Sequence, residues 1–216
     1  MVGFHVTNTI TDGFYQINHY LYNVQAHLDA TLYGQKEAKS AILEMMAQWI
    51  INPQSRGVVL GFEGPPGTGK TSLMRHGVAY ALQRPFISIS LGGARDGAFL
   101  DGSKAVFEGS TCGKIITSLI DAKYMNPIFY FDELDKMSDS PHGAEVGNVL
   151  LHLTDGSQNN DFQDKFLEVG VDLSNAAYIF SYNNYYMIDP ILRDRIKRVG
   201  FKSYDLTDKI AIATNY

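Results

Sequence analysis

Two patterns of apolar and polar positions alternate along the chain. Five short apolar runs have the length of buried strands, and one of them, FISIS, also alternates apolar and polar residues. Five longer stretches repeat their apolar positions every three to four residues, as amphipathic helices do. The predicted strands are residues 58–62, 86–90, 128–131, 177–182 and 199–201. The predicted helices are residues 35–51, 71–82, 114–124, 142–153 and 190–195. Strands alternating with helices predict an α/β fold, with a five-stranded, mainly parallel sheet flanked by helices.

The pattern is weaker near the N-terminus. Residues 1–27 are rich in Asn, Tyr and His, and helical spacing is limited to Leu21, Val24 and Leu28, which favours one short helix. We find no internal repeat and no low-complexity linker. The pattern therefore predicts an N-terminal extension over residues 1–27, followed by one main domain.

Composition narrows the class of protein. The chain has 216 residues, of which 45% are hydrophobic and 19% charged, as is typical of a soluble globular protein. The net charge of −5 gives no overall attraction to nucleic acid or to an anionic membrane. No apolar run approaches the ~20 residues of a membrane span. Cys112 is the single cysteine, which excludes an internal disulfide, and no signal peptide is evident, so we expect a cytoplasmic location.

A glycine-rich segment, GPPGTGKT, stands between the first predicted strand and the next helix. It fits the pattern G-x-x-x-x-G-K-[ST] of a phosphate-binding loop, the Walker A motif. Small residues let backbone N–H groups turn toward phosphate oxygens, the lysine reaches the β- and γ-phosphates, and the last hydroxyl ligates Mg²⁺. A tight turn would explain the glycines but not the Lys-Thr pair. The predicted nucleotide-binding residues are Gly64, Pro65, Pro66, Gly67, Thr68, Gly69, Lys70 and Thr71.

Polar residues follow the third and fourth predicted strands. Asp132 and Glu133 come after the third strand, where a parallel sheet binds its ligands, so Asp132 is a candidate Mg²⁺ ligand and Glu133 can polarise the attacking water. Asn183 ends the fourth strand and is either a turn residue or a sensor of the γ-phosphate. Beyond it, Arg195 belongs to a basic cluster that is either a solvated face or an arginine finger for a neighbouring subunit.

Several segments together resemble the ATPase module of the Lon family, within the AAA+ ATPases. They cover about residues 28–212, and the one at 150–169 is more specific than any phosphate-binding loop. The segments are LDATLYGQKEAK (28–39), ISLGGARDGAFLDG (89–102), FYFDELDKM (129–137, with the Walker B strand), LLHLTDGSQNNDFQDKFLEV (150–169) and IFSYNNYYMIDPILRDRI (179–196). The resemblance implies a P-loop NTPase fold of the AAA+ large-subdomain type over residues 28–208.

The resemblance also implies roles for individual residues. It places Tyr33 and Gly34 beside the adenine, Asn183 at the sensor-1 position and Arg195 at the arginine finger. Phe107, a core aromatic by its chemistry alone, falls on the pore-loop residue that grips an unfolded polypeptide. Its neighbour Glu108 departs from the family, which usually has an apolar residue there.

The function implied by this resemblance is hydrolysis of ATP with Mg²⁺ to remodel, unfold or translocate protein substrates, in a homo-oligomeric, hexameric ring. Residues 209–216 would begin a helical lid that is truncated here, and no serine–lysine protease domain is expected in the chain. The resemblance also suggests a separate protease chain as a partner and the mitochondrial matrix as a second location. The alternative is a nucleotide-dependent binding or assembly module with little hydrolysis. The net negative charge of the chain and the Lon-like segments argue against a DNA loader.

Overall fold

A computed structural model describes residues 10–52, 59–94, 96–106, 108–137 and 141–215. Its centre is a five-stranded sheet in the order β2-β3-β6-β1-β7, and every neighbouring pair is parallel. The strands are β1 (Val59–Glu63), β2 (Phe86–Ser90), β3 (Ile128–Asp132), β4 (Phe162–Gln163), β5 (Gly170–Val171), β6 (Ala177–Tyr182) and β7 (Lys197–Gly200). The predicted α/β fold with five strands is confirmed, and β4 and β5 add a small antiparallel hairpin.

Helices cover both faces of this sheet. The helices are α1 (Ile10–Thr31), α2 (Lys36–Ile51), α3 (Lys70–Ser72), α4 (Tyr80–Leu82), α5 (Ala98–Asp101), α6 (Lys114–Ala122), α7 (Pro141–Thr154), α8 (Pro190–Arg195) and α9 (Leu206–Asn215). A π-helical stretch, Leu73–Ala79, joins α3 to α4 without a break. Short 3₁₀ turns occur at Leu134–Lys136, Asn159–Asp161 and Tyr185–Met187.

Each face of the sheet carries its own apolar core. On one face, Phe129 and Phe180 pack with residues of α6, α7 and α8. On the other face, Leu60, Tyr130 and Ile179 pack with residues of α1, α2 and the π-helical stretch. Because β1, β3 and β6 are covered on both sides, nearly all their positions are apolar, whereas the edge strands β2 and β7 carry exposed polar residues. This two-sided burial explains why continuous apolar runs marked the three central strands in the sequence.

The N-terminal helix is longer than the sequence pattern indicated. α1 has 22 residues and runs through the predicted division between residues 27 and 28. Val24 and Leu28 are buried, and a β-carbon added at Gly77 would lie 2.8 Å from Leu28 Cδ2. α1 therefore packs directly on the helix that follows the glycine-rich loop. At the other end, α9 likewise runs across the predicted division between residues 208 and 209.

Within the described residues, no helix combines the length and the apolar character that a membrane crossing requires.

Candidate functional site

A cavity of about 370 Å³ opens at the carboxyl ends of β1, β3 and β6. Parallel strands bring three separate parts of the chain together at this edge, which is where open α/β sheets bind ligands. The lining residues are Pro66, Gly67, Thr68, Gly69, Lys70, Thr71, Ser72, Asp132, Glu133, Asp135, Lys136, Ser181, Tyr182 and Asn183. The cavity therefore joins the glycine-rich loop to both predicted acids and to the predicted sensor.

The loop's backbone explains its glycines. Gly67 and Gly69 have φ values of 77° and 90°, a left-handed region that residues with a β-carbon rarely adopt. A β-carbon at Gly69 would in addition overlap Leu32 Cδ1, whereas the corresponding position at Gly67 has no described atom within 4 Å. Thr68 is buried, and its hydroxyl donates to the Pro65 carbonyl at 2.9 Å. The loop is thus a turn held by its own hydrogen bonds around an open concave side.

Lys70 begins α3 and is buried at the neck of the loop. Its Nζ donates to the carbonyl oxygens of Gly64 at 2.5 Å and Pro65 at 3.1 Å. Burial lowers the pKa of Lys70, and the charges of Asp132 and Asp135 oppose that shift. The ammonium therefore lies between the loop's own oxygens and two nearby carboxylates, within the cavity.

The neighbouring oxygens form a set that suits Mg²⁺. Thr71 Oγ1 lies 3.2 Å from the Tyr130 hydroxyl, whose pKa burial raises to about 12. Asp132 Oδ1 accepts hydrogen bonds from the Ser181 hydroxyl and from the Glu133 N–H. The described residues contain no group of three or more His, Cys, Asp or Glu side chains that could hold a metal by themselves. One hydroxyl and one carboxylate fit a Mg²⁺ ion that takes its other ligands from phosphates and water.

Glu133 follows β3 in a left-handed conformation, with φ 62°. Its Oε1 pairs with the Lys136 ammonium, and its Oε2 accepts a hydrogen bond from the Ser90 hydroxyl at 3.2 Å. The hydrogen bond from Lys136 is the main reason why the pKa of Glu133 is lowered. The carboxylate is therefore ionised at neutral pH and held at the cavity wall by two partners.

Asp135 is a residue of this site that the sequence reasoning missed. Its Oδ2 accepts hydrogen bonds from the backbone N–H groups of Asn183 and Asn184, both at 3.0 Å. Its Oδ1 is buried without a hydrogen-bond partner among the described residues. Asp135 thereby ties the turn after β3 to the end of β6 and fixes the backbone at Asn183. The third acidic residue in DELD was the available signal.

Six predicted site residues in the described part of the chain do not line this cavity. Two of them are Gly64 and Pro65, whose carbonyl oxygens accept hydrogen bonds from Lys70. Tyr33 and Gly34 line a second cavity of about 340 Å³, together with Gln35, Lys202 and Tyr204 among others. In the described part of the chain, Arg195 does not line the first cavity. Its guanidinium donates instead to the Leu151 carbonyl and, at 3.2 Å, to Asp155 Oδ2. Glu108 is exposed on the segment between α5 and α6, and Phe107 falls outside the described residues.

Comparison with known families decides the class of the protein. Residues 60–204 match the model of the ATPase family associated with various cellular activities (AAA). The chain belongs to the AAA family of ATPases. The match spans the glycine-rich loop, both acids at the end of β3, the end of β6 and Arg195. It therefore contains every predicted residue of the first cavity.

Individual relatives of this AAA protein are Lon proteases. A Lon protease homolog of Acanthamoeba polyphaga mimivirus is 39% identical over 215 residues, which are 99% of this chain and 20% of that protein. The Lon protease of Desulfosudis oleivorans is 42% identical over 192 residues, 89% of this chain and 23% of that protein. The Lon protease of Flavobacterium johnsoniae is 39% identical over 196 residues. The chain thus spans about a fifth to a quarter of these relatives, and the resemblance to a Lon-type AAA+ module is confirmed.

Proposed function

We propose that this chain binds ATP with Mg²⁺ and hydrolyses it as a Lon-like AAA+ ATPase. The observation that carries the proposal is the single cavity in which the lysine and hydroxyl of the glycine-rich loop meet both acids at the end of β3. Loop, lysine, hydroxyl and acids are the groups that ATP hydrolysis requires in this class of site. The match to the AAA family supports the same conclusion.

Binding would use the loop and its lysine. The N–H groups of residues 67–71 and the start of α3 present positive potential to the triphosphate. Lys70 would exchange its bonds to the Gly64 and Pro65 carbonyls for bonds to β- and γ-phosphate oxygens. Thr71 and Asp132 would hold Mg²⁺. When bound, the ion neutralises charge on the phosphate oxygens.

Hydrolysis would use the residues at the ends of β3 and β6. Glu133 orients a water and accepts its proton as the water oxygen bonds to the γ-phosphorus. The bond from that phosphorus to the β–γ bridging oxygen breaks, and ADP leaves with the electron pair. Asn183, fixed by Asp135, would hold the water or a γ-phosphate oxygen through its amide. Arg195 would act on the ATP of a neighbouring subunit after leaving Leu151 and Asp155.

Replacing Glu133 tests this proposal directly. Glu133→Gln keeps the size of the side chain but removes the proton acceptor, so we expect ATP binding to persist and turnover to fall to the buffer background. Glu44→Gln is the matched control, because Glu44 lies on α2 and pairs with Lys197. Unchanged turnover in Glu133→Gln would show that the assigned role is incorrect.

A second candidate function is a nucleotide-dependent binding or assembly module with little hydrolysis. It is supported by the two partners that hold Glu133, and by the bonds that keep Arg195 within its own chain. Turnover measured against protein concentration separates the two functions. A specific activity above background that rises with concentration supports the ATPase, whereas turnover at background at all concentrations supports the module.

The wider role that we propose is the remodelling or translocation of protein substrates by a ring of about six subunits, with Phe107 and Glu108 on the loop that contacts the substrate. We include a separate protease chain among the proposed partners. The support is the Lon-type similarity, together with the exposure of Val106 and Glu108 on that segment. Light scattering with ATP tests ring formation: a mass of about six chains supports a ring, and a monomer contradicts it.

A further inference from the structure

The turn between α1 and α2 lies against the glycine-rich loop. Leu32 occupies the space beside Gly69, so that a β-carbon at Gly69 would overlap Leu32 Cδ1 and lie 3.1 Å from Leu32 Cδ2. Gly69 directly precedes Lys70 and the start of α3. The position of Leu32 therefore sets how the end of the loop packs.

Lys39 stabilises this turn through two hydrogen bonds of its buried ammonium. It is only 6% exposed, and its ammonium donates to the Leu32 carbonyl at 2.6 Å and to Asp29 Oδ1 at 2.8 Å. Burying an ammonium is unfavourable unless its hydrogen bonds are satisfied, so a buried lysine indicates a specific structural task. Here, one of its bonds goes to the backbone of the residue that contacts the loop.

Two further contacts fix the outer side of the same turn. The Gln35 amide donates to the Lys202 carbonyl at 2.8 Å and accepts from the Lys202 N–H at 3.0 Å. The Tyr204 hydroxyl donates to the Tyr33 carbonyl at 2.8 Å. The turn is thus held from α2 on one side and from the segment after β7 on the other, and Leu32 belongs to this turn and lies against Gly69.

We infer that Lys39 is a positioning residue of the nucleotide site, which sets the phosphate-binding loop through Leu32. This inference rests on the proposed function, because it assumes that the loop binds a triphosphate. It assigns Lys39 to the phosphate end of the ligand rather than to the base. A change at Lys39 should therefore weaken the binding of any triphosphate to the loop, with or without a nucleoside.

The experiment compares Lys39→Met with Leu32→Ala and the double variant. Calorimetry measures the binding of MgATP and of inorganic triphosphate with Mg²⁺, at a temperature where circular dichroism shows each variant to be folded. Lys197→Met is the control, because Lys197 also pairs with an acidic side chain of the α1–α2 region, Glu44, but lies at the surface. If Lys39→Met does not fold, Leu32→Ala measures the same step, because it leaves the bonds of Lys39 in place.

We expect Lys39→Met and Leu32→Ala each to weaken the binding of both ligands about tenfold. Lys39→Met loses the buried hydrogen bond to the Leu32 carbonyl, and Leu32→Ala loses the side chain that packs against Gly69. The double variant should be little weaker than either single variant, because both act through one contact. Lys197→Met should bind as the wild type does.

Three results would overturn the inference while leaving the proposed function intact. The first is wild-type affinity in Lys39→Met or in Leu32→Ala. The second is weaker binding of ATP with unchanged binding of inorganic triphosphate, which would place Lys39 at the base. The third is additive effects in the double variant. A wild-type protein that binds neither ligand would refute the proposed function itself.

Discussion

Asp135→Asn is the perturbation for which the structure makes the sharpest prediction. The wild-type Asp135 Oδ2 accepts two backbone hydrogen bonds, from Asn183 and Asn184 at 3.0 Å each. The amide of Asn keeps an oxygen acceptor of the same size but loses the negative charge. The variant therefore isolates the charge of Asp135 from its shape.

The expected magnitude follows from the two bonds. A hydrogen bond to a charged group contributes about 1.5–3 kcal/mol, against about 0.5–1.5 for a neutral pair. Losing the charge then lowers each contribution by about 1 kcal/mol. Because Asp135 is only partly buried, we expect the two bonds together to lose roughly 1–2 kcal/mol of the free energy of unfolding. For a protein of this size, that loss lowers Tm by about 2–8 °C.

Turnover should respond more strongly than stability. If the backbone at Asn183 shifts, its amide no longer holds the water or the γ-phosphate in line, and small displacements of this kind cost about tenfold to a hundredfold in kcat. KM should change little, because Lys70 and the loop remain in place. A fall in kcat with a nearly constant KM is therefore the expected kinetic signature.

The assay combines thermal unfolding with steady-state ATP hydrolysis. Asp121→Asn is the matched control, because Asp121 is exposed near the end of α6. This end of α6 leads to the start of β3, so Asp121 lies at the edge of the sheet opposite to the cavity. The control should match the wild type in both measurements. Wild-type Tm and kcat in Asp135→Asn would refute the role given to this carboxylate.

Three further predictions concern other residues of the site. Lys136 lowers the pKa of Glu133, so turnover, which needs the ionised carboxylate, should be lost only as the pH falls through that lowered pKa. In Lys136→Met, the acid limb of the pH–rate profile should therefore move to higher pH. An acid limb at the wild-type position would contradict this assignment. Gly69→Ala should lower the free energy of unfolding, measured in urea, by about 1–3 kcal/mol, because the backbone φ is 90° and the added β-carbon would overlap Leu32. Wild-type stability would contradict this prediction. Arg195→Ala should lower turnover by about 10³ or more, and mixing with Glu133→Gln chains should restore part of it; no restoration would mean that Arg195 does not act across subunits.

The central strands of the main sheet were predictable because burial on both faces leaves a simple signature. Residues 128–131 and 177–182 are almost wholly buried, so each strand is a continuous apolar run in the sequence. The glycine-rich loop was predictable because its residue types are set locally by backbone conformation and phosphate chemistry.

Features set by contacts distant in sequence were not predictable in the same way. None of residues 16–23 of α1 is fully buried, so the pattern there was weak, although Leu28 packs against Gly77 across 49 positions of chain. The β4–β5 hairpin has two residues in each strand, too few for any periodicity. The roles of Lys39 and Asp135 depend on backbone atoms of other segments, which residue types alone do not reveal.

The binding of MgATP to the wild-type chain and to Lys70→Ala, measured by calorimetry, tests the central claim most directly. The account predicts one site per chain, with a dissociation constant in the range of about 1 μM to 1 mM usual for enzyme substrates, and at least tenfold weaker binding in Lys70→Ala. No binding heat at millimolar ATP, or equal affinity in the two proteins, would contradict it.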